Sequence, residues 1–135
     1  MASSMTVTVK DPSKEHSPLV IKVACVAHTD GTFDAKQITA AEVKFNYWQY
    51  GLYLYEVWAI NPASVYPTTA GAVTIADEVG SAILKTGELA LDTSASTKTE
   101  GSLEKTRLVT SKLTITIGDT GNAANTFDLY LKFVR

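Results

Sequence analysis

The feature that most constrains this chain is a period-two alternation of apolar and polar residues. It is carried by short runs rich in β-branched side chains, separated by Gly, Pro, Asp and Asn. Successive residues of an extended chain point to opposite faces, so each run can lay one apolar row against a core. Thr6-Val7-Thr8-Val9 is the first such run, and Asp11-Pro12-Ser13 ends it because proline cannot donate to a sheet ladder. Residues 19–29 form the next, with Leu19, Ile21, Val23, Cys25 and Ala27 on one face. Asp30-Gly31 suits a tight hairpin turn, and residues 33–38 read as its return strand.

Residues 42–60 are the aromatic centre, holding Phe45, Tyr47, Trp48, Tyr50, Tyr53, Tyr55 and Trp58, and Gly51 between its halves reads as a turn or bulge. Strict alternation in the second half puts Leu52, Leu54, Glu56, Trp58 and Ile60 on one face and Tyr53, Tyr55, Val57 and Ala59 on the other. Both faces are largely apolar, as in a central sandwich strand or one covered by a partner.

Asn61-Pro62-Ala63-Ser64 ends this strand, and residues 67–71 form a loop. Residues 73–76 are a short strand, 77–80 a turn, and 82–84 and 88–91 two more strands; a helix over 76–84 competes, weakened by Gly80. Residues 93–106 are Ser/Thr-rich, with almost no large apolar side chains, and read as an exposed loop. Alternation resumes at 108–109 and 112–117, with Leu113, Ile115 and Ile117 on one face. A turn at 119–122 leads to the last strand, 127–134. There Phe127, Leu129, Leu131 and Phe133 face the core, and Asp128, Tyr130 and Lys132 face away. Eight to ten short strands predict an all-β protein, an antiparallel β-sandwich of jelly-roll type. The expected organisation is one domain over 1–135, with 1–18 a candidate N-terminal arm.

Composition narrows the function classes. A formal net charge of -2 argues against a nucleic-acid binder, which needs a basic surface to displace counterions from phosphates. The single cysteine allows no intrachain disulfide. Met1-Ala2-Ser3-Ser4-Met5 lacks the basic start and apolar stretch of a secretory signal, and either methionine can be the natural start. Apolar runs reach only about five residues where a spanning helix needs about 20. The expectation is a soluble protein made in a reducing cytoplasm, with no membrane and no nucleic-acid partner.

Residues able to carry chemistry are few and scattered. His16 and His28 have no His or Cys at metal-ligand spacing, and Cys25 sits in an apolar strand pattern where a buried thiol is inert. Asp119, Asn122, Asn125 and Asp128 do not follow the calcium-loop pattern and suit turn chemistry. Asp77 and Glu78 are adjacent and would point to opposite faces of a strand, unlike the facing carboxylates of a glycosidase. No phosphate loop, nucleophile elbow or dinucleotide fingerprint is present. The expectation is therefore a non-enzyme with no catalytic residue, metal or cofactor. The aromatic stretch is read as core plus sheet-surface tyrosines. Its sharper reading is a binding face of Trp48, Tyr50, Tyr53, Tyr55 and Trp58, since Tyr and Trp are enriched at interfaces.

The order of segments over residues 50–135 carries a resemblance. Gly51-Leu52-Tyr53-Leu54-Tyr55 leads to Asn61-Pro62, Pro67-Thr68-Thr69, Val73-Thr74-Ile75-Ala76-Asp77-Glu78 and Lys112-Leu113-Thr114-Ile115. A turn at Gly121-Asn122 then precedes Leu129-Tyr130-Leu131. This resembles small structural proteins of tailed bacteriophages. Where that family more often has Asp-Glu-Asp-Gly, this chain has Asp77-Glu78-Val79-Gly80, and residues 1–49 lie outside the resemblance. The resemblance implies a virion component on the capsid surface, a decoration or cement protein that binds the major capsid protein or other virion subunits. A homo-oligomer is expected, motivated by the two-sided apolar strand. A tail or head-to-tail connection component, or a carbohydrate- or receptor-binding module, is the alternative.

Overall fold

A computed structural model of the chain describes residues 3–9, 19–39, 42, 52–61, 66–85, 87–91, 96–98, 108–109, 112–121 and 126–134. The named elements among the described residues are strands: β1 (Ser4–Val9), β2 (Leu19–Val26), β3 (Lys36–Gln37), β4 (Leu52–Ile60), β5 (Val73–Ala76), β6 (Ala82–Leu84), β7 (Thr97–Lys98), β8 (Leu108–Val109), β9 (Thr114–Ile117) and β10 (Thr126–Val134). They form two antiparallel sheets. One runs β1-β2-β10-β4-β7, with β8 also on β4, and the other runs β3-β9-β5-β6. The apolar rows meet in one core, where Ile21, Val23, Leu129 and Leu131 of the first sheet join Val73, Ile75, Ile115 and Ile117 of the second.

The long strands follow the alternation. In β10 the burial pattern is strictly two-periodic, with Phe127, Leu129, Leu131 and Phe133 buried. In β2, Ile21, Val23 and Cys25 are buried and Lys22 is not. The two strands pair from Thr126↔Val26 to Phe133↔Leu19, which aligns their apolar rows.

Several local readings are corrected. Asp30-Gly31 does turn the chain: Gly31 has φ 88°, and Asp30 Oδ1 accepts the Thr32 N–H at 3.0 Å and the Thr32 hydroxyl at 2.6 Å. It does not make a hairpin, because residues 33–38 cross to the second sheet and only Lys36–Gln37 pair, with β9. Turn chemistry sets a change of direction; the destination is decided by where Ile38 finds a core. The alternative helix over 76–84 is absent: Asp77 Oδ1 accepts the Val79 and Ser81 N–H groups, Gly80 has φ 87°, and the chain returns as β6. Residues 88–91 contribute a single bridge, Ala72↔Ala90, in place of a strand. In the expected loop 93–106, Thr97–Lys98 is a strand on β4, and the rest lies outside the described residues apart from Ser96. Residues 4–9 of the expected arm are the sheet strand β1; residues 10–18 lie outside the described residues.

Thr120 ties three loops together. It is fully buried (0% exposed) and sends both its N–H (3.0 Å) and its hydroxyl (2.8 Å) to the Gly31 carbonyl. Its own carbonyl accepts the N–H groups of Thr68 and Thr69 at 3.1 and 3.0 Å. A buried hydroxyl must find such a partner or destabilise the fold.

Candidate functional site

The candidate site is the outer face of the six-stranded sheet, and a β-bulge makes it. Opposite β10, Glu56 pairs with Lys132 and Leu54 pairs with Phe133, so Tyr55 is an extra residue on β4. One extra residue flips the alternation. Leu54, Val57 and Ala59 therefore all point inward and are buried, while Tyr53, Tyr55, Glu56 and Trp58 are only partly covered. This overturns the strict alternation, which put Leu54 with Trp58 and Tyr55 with Val57. The bulge sends the branched aliphatic groups to the core and the amphipathic rings outward.

Neighbouring strands complete the face. Trp58 lies directly opposite Tyr130 in the ladder, and the two rings stack with centroids 5.6 Å apart and planes at 10°. The Lys132 ammonium sits over the Tyr55 ring, 5.3 Å from its centroid. Lys22 Nζ lies 3.6 Å from Asp128 Oδ2. Ile60, at 38% exposure, closes the β4 row. The result is an aromatic ladder held in place by cation–π and ionic contacts. Of the five expected interface residues, Tyr53, Tyr55 and Trp58 share this face, and Trp48 and Tyr50 lie outside the described residues. Tyr130 belongs to it and was missed. Its signal was an aromatic on the polar side of an otherwise clean alternation.

The chemistry-bearing residues are used locally. Burial, and then the Asp128 charge, push the Cys25 thiol far above its ordinary value, and Sγ donates to the Val23 carbonyl at 3.4 Å. The thiol therefore stays protonated, which is wrong for a nucleophile. Asp119 Oδ1 accepts the Gly121 N–H at 2.7 Å, whereas Asp128 stands on a strand face with Lys22. The acidic and amide positions near Gly121 are thus divided between a turn and a strand; Asn122 and Asn125 lie outside the described residues. Among the described residues no group of three His, Cys, Asp or Glu could hold a metal ion.

Ser3, His28 and Asp34 do come together, but not as a nucleophilic triad. His28 Nδ1 accepts the Ser3 backbone N–H at 2.9 Å, so the neutral ring carries its proton on Nε2, 3.0 Å from Asp34 Oδ2. The Ser3 hydroxyl donates to Asp34 Oδ2 and accepts the Asp34 N–H. A serine nucleophile needs its hydroxyl on the imidazole; here the hydroxyl is on the carboxylate. The trio is a clasp fastening the start of β1 to the loop after β2. The hydrogen bond from His28 is the main cause that holds Asp34 below its ordinary carboxylate value.

A second polar clasp joins residues 36–42. Glu42 Oε1 accepts the Thr39 N–H and hydroxyl, Thr39 Oγ1 accepts the Glu42 N–H, and Lys36 Nζ lies 2.8 Å from Glu42 Oε2. This Thr-x-x-Glu reciprocity is a capping box, which the reading of 42–60 as a β stretch overlooked. Burial raises the Glu42 carboxyl, but hydrogen bonds from Lys36 and Thr39 outweigh it and leave it below its ordinary value. A carboxyl titrating low when folded stabilises the fold at neutral pH, and that contribution is lost as pH falls through the folded value. Glu42→Gln is expected to cost about 1 kcal/mol or less at pH 7 and less than that at pH 3. Urea unfolding at both pH values checks this; an equal loss at both would contradict it.

No family model matches the chain, and no curated protein or solved structure matches it.

Proposed function

We propose that this protein is a non-enzymatic structural subunit of a tailed-bacteriophage particle, a decoration or cement protein that binds the head shell. The order of strands carries the reading. Leaving aside β1 and β8, the sheets run β2-β10-β4-β7 and β3-β9-β5-β6. The chain changes sheets at every step except the β5–β6 hairpin and an eight-strand circuit closes, which supports a jelly roll. Capsid and lectin domains use that architecture. The architecture supports the class of protein and not its partner, because folds host many functions. The segment order of residues 50–135, which resembles small phage structural proteins, points to the virion.

The contact surface in this reading is the face of Tyr53, Tyr55, Trp58 and Tyr130, toward the major capsid protein or another virion subunit. Rigid, amphipathic rings are common anchors of protein interfaces. Purified protein added to capsids lacking it is expected to bind saturably. Trp58→Ala is expected to weaken that binding about tenfold or more, while losing about 1 kcal/mol of stability with the Tyr130 stack. No binding, together with absence of the protein from virions by mass spectrometry, would sink the proposal. Copy number separates a shell subunit, present in high copy, from a tail or connector component confined to one ring.

The stacked Trp58–Tyr130 pair also favours a second reading, a carbohydrate- or receptor-binding module. A glycan array with a hit abolished by Trp58→Ala would select it; an array with none would remove it.

A further inference from the structure

β1 stands outside the eight-strand circuit, at the end of the six-stranded sheet. It hydrogen-bonds to β2 on one side, from Ser4↔Val26 to Val9↔Ile21. Among the described residues no strand pairs with its other side. An open edge offers a row of N–H and C=O groups to any extended chain, and proteins usually blunt such edges with charge, proline, a bulge or brevity. The other sheet ends are blunted. β7 and β3 are two residues long, and each contains a lysine. β6 is three residues long and joined to β5 across a register shift. β1 has six residues, Ser-Met-Thr-Val-Thr-Val, with no charge and no proline, paired to β2 without a shift in register. The Ser3–His28–Asp34 clasp fastens its first turn of chain, so the edge is held ready in the sheet.

The core is also unfinished at this edge. Met5 is buried, whereas Val7 and Val9 pack against the core and remain partly open. The outer residues Ser4, Thr6 and Thr8 are exposed. We propose that β1 pairs antiparallel with β1 of a second copy of this chain, about a two-fold axis through Val7, joining two six-stranded sheets into one. The strand is complementary to itself in this register. Met5 lies opposite Val9, Val7 opposite Val7 and Thr6 opposite Thr8, so apolar residues meet apolar ones on the inner face and hydroxyls meet on the outer. With no charge in β1, the six residues of the strand set no like charges opposite one another in this register. A two-fold interface has this self-matching requirement, and paired threonines and β-branched residues stabilise such ladders. The pairing goes beyond the virion reading and does not require a particle.

Sedimentation equilibrium of the free protein tests it. The wild-type chain is expected to be a dimer at high micromolar concentration. Thr6→Lys/Thr8→Lys places like charges opposite one another in both symmetry-related positions and is expected to weaken the dimer about tenfold, with the circular dichroism spectrum of the wild type. Thr6→Glu/Thr8→Glu should do the same, and an equimolar mixture of the two variants should form a heterodimer. A monomeric wild type, a Lys variant as dimeric as the wild type, or a mixture that stays monomeric would each overturn the pairing. Capsid binding by a monomeric wild type would overturn it while leaving the virion reading intact.

Discussion

Replacing Phe127 with alanine is expected to remove about 3–5 kcal/mol of unfolding free energy, the largest loss of any single change considered. Phe127 is 1% exposed, sits opposite Cys25 in the β2–β10 ladder, and meets Phe33 edge-to-face at 5.7 Å and 71°. The alanine variant loses the transfer energy of the ring and leaves a cavity between strands whose neighbours on both sides are already paired, so collapse around it is limited. A domain with about 5–15 kcal/mol in total would be left marginal. The urea midpoint should drop sharply with little change in slope. Phe127→Leu, which keeps most of the apolar volume, should lose clearly less. Phe33→Ala should also lose less, because Phe33 is only partly buried, and the double variant isolates the ring pair, worth about 0.5–1.5 kcal/mol. A Phe127→Ala loss under about 1 kcal/mol would contradict a packed core at this end.

The second large effect is expected at Gly71, for a reason of space. A Cβ there would lie 2.6 Å from the Gly118 carbonyl oxygen and 3.2 Å from its carbon. That contact is with backbone and cannot be relieved by turning a side chain. The Gly118 N–H also bonds to the Ala72 carbonyl at 2.9 Å, and the Gly71 carbonyl accepts the Leu91 N–H at 2.9 Å, so the segment is held on both sides. Gly71→Ala is expected to cost about 1–3 kcal/mol by overpacking. Gly118→Ala is the control: its Cβ would come no closer than 3.2 Å to backbone, and its loss should be well under half as large. Equal losses at the two glycines, by urea or thermal unfolding, would show that the close approach is not the cause.

The strands were legible wherever the alternation was clean, because one row of apolar side chains is enough to identify a half-buried strand. β2, β9 and β10 followed it at every residue whose side chain is described, Leu19 of β2 lying outside them. The sequence was least informative where two physical signals competed. In β4 both faces carry large apolar groups, so alternation could not tell ring from aliphatic. The bulge at Tyr55 became visible only through its register against β10, with Lys132 opposite Glu56 and Phe133 opposite Leu54. Asp30-Gly31 was legible as a turn but not as a crossing between sheets, since turn residues encode local φ and ψ and not the partner of the next strand. The Thr39–Glu42 capping box was legible in principle, from its spacing, but it straddles the start of the aromatic segment and was overlooked. The candidate site divides the same way. Tyr53, Tyr55 and Trp58 were named from their type, but Tyr130 joined them only when β10 was laid beside β4.

The sequence by itself determined that this chain makes short, half-buried strands, where most of them turn, and which rows face a core, because periodicity and turn preference are properties of neighbouring residues. Only the tertiary structure decided which strands pair, that one inserted residue turns the aromatics of β4 outward, that buried Thr120 knots three loops, and that β1 stands at the end of its sheet with β2 as its one partner among the described residues. Each of these depends on residues far apart in the chain meeting in space, and contact at long sequence separation leaves no local pattern to read.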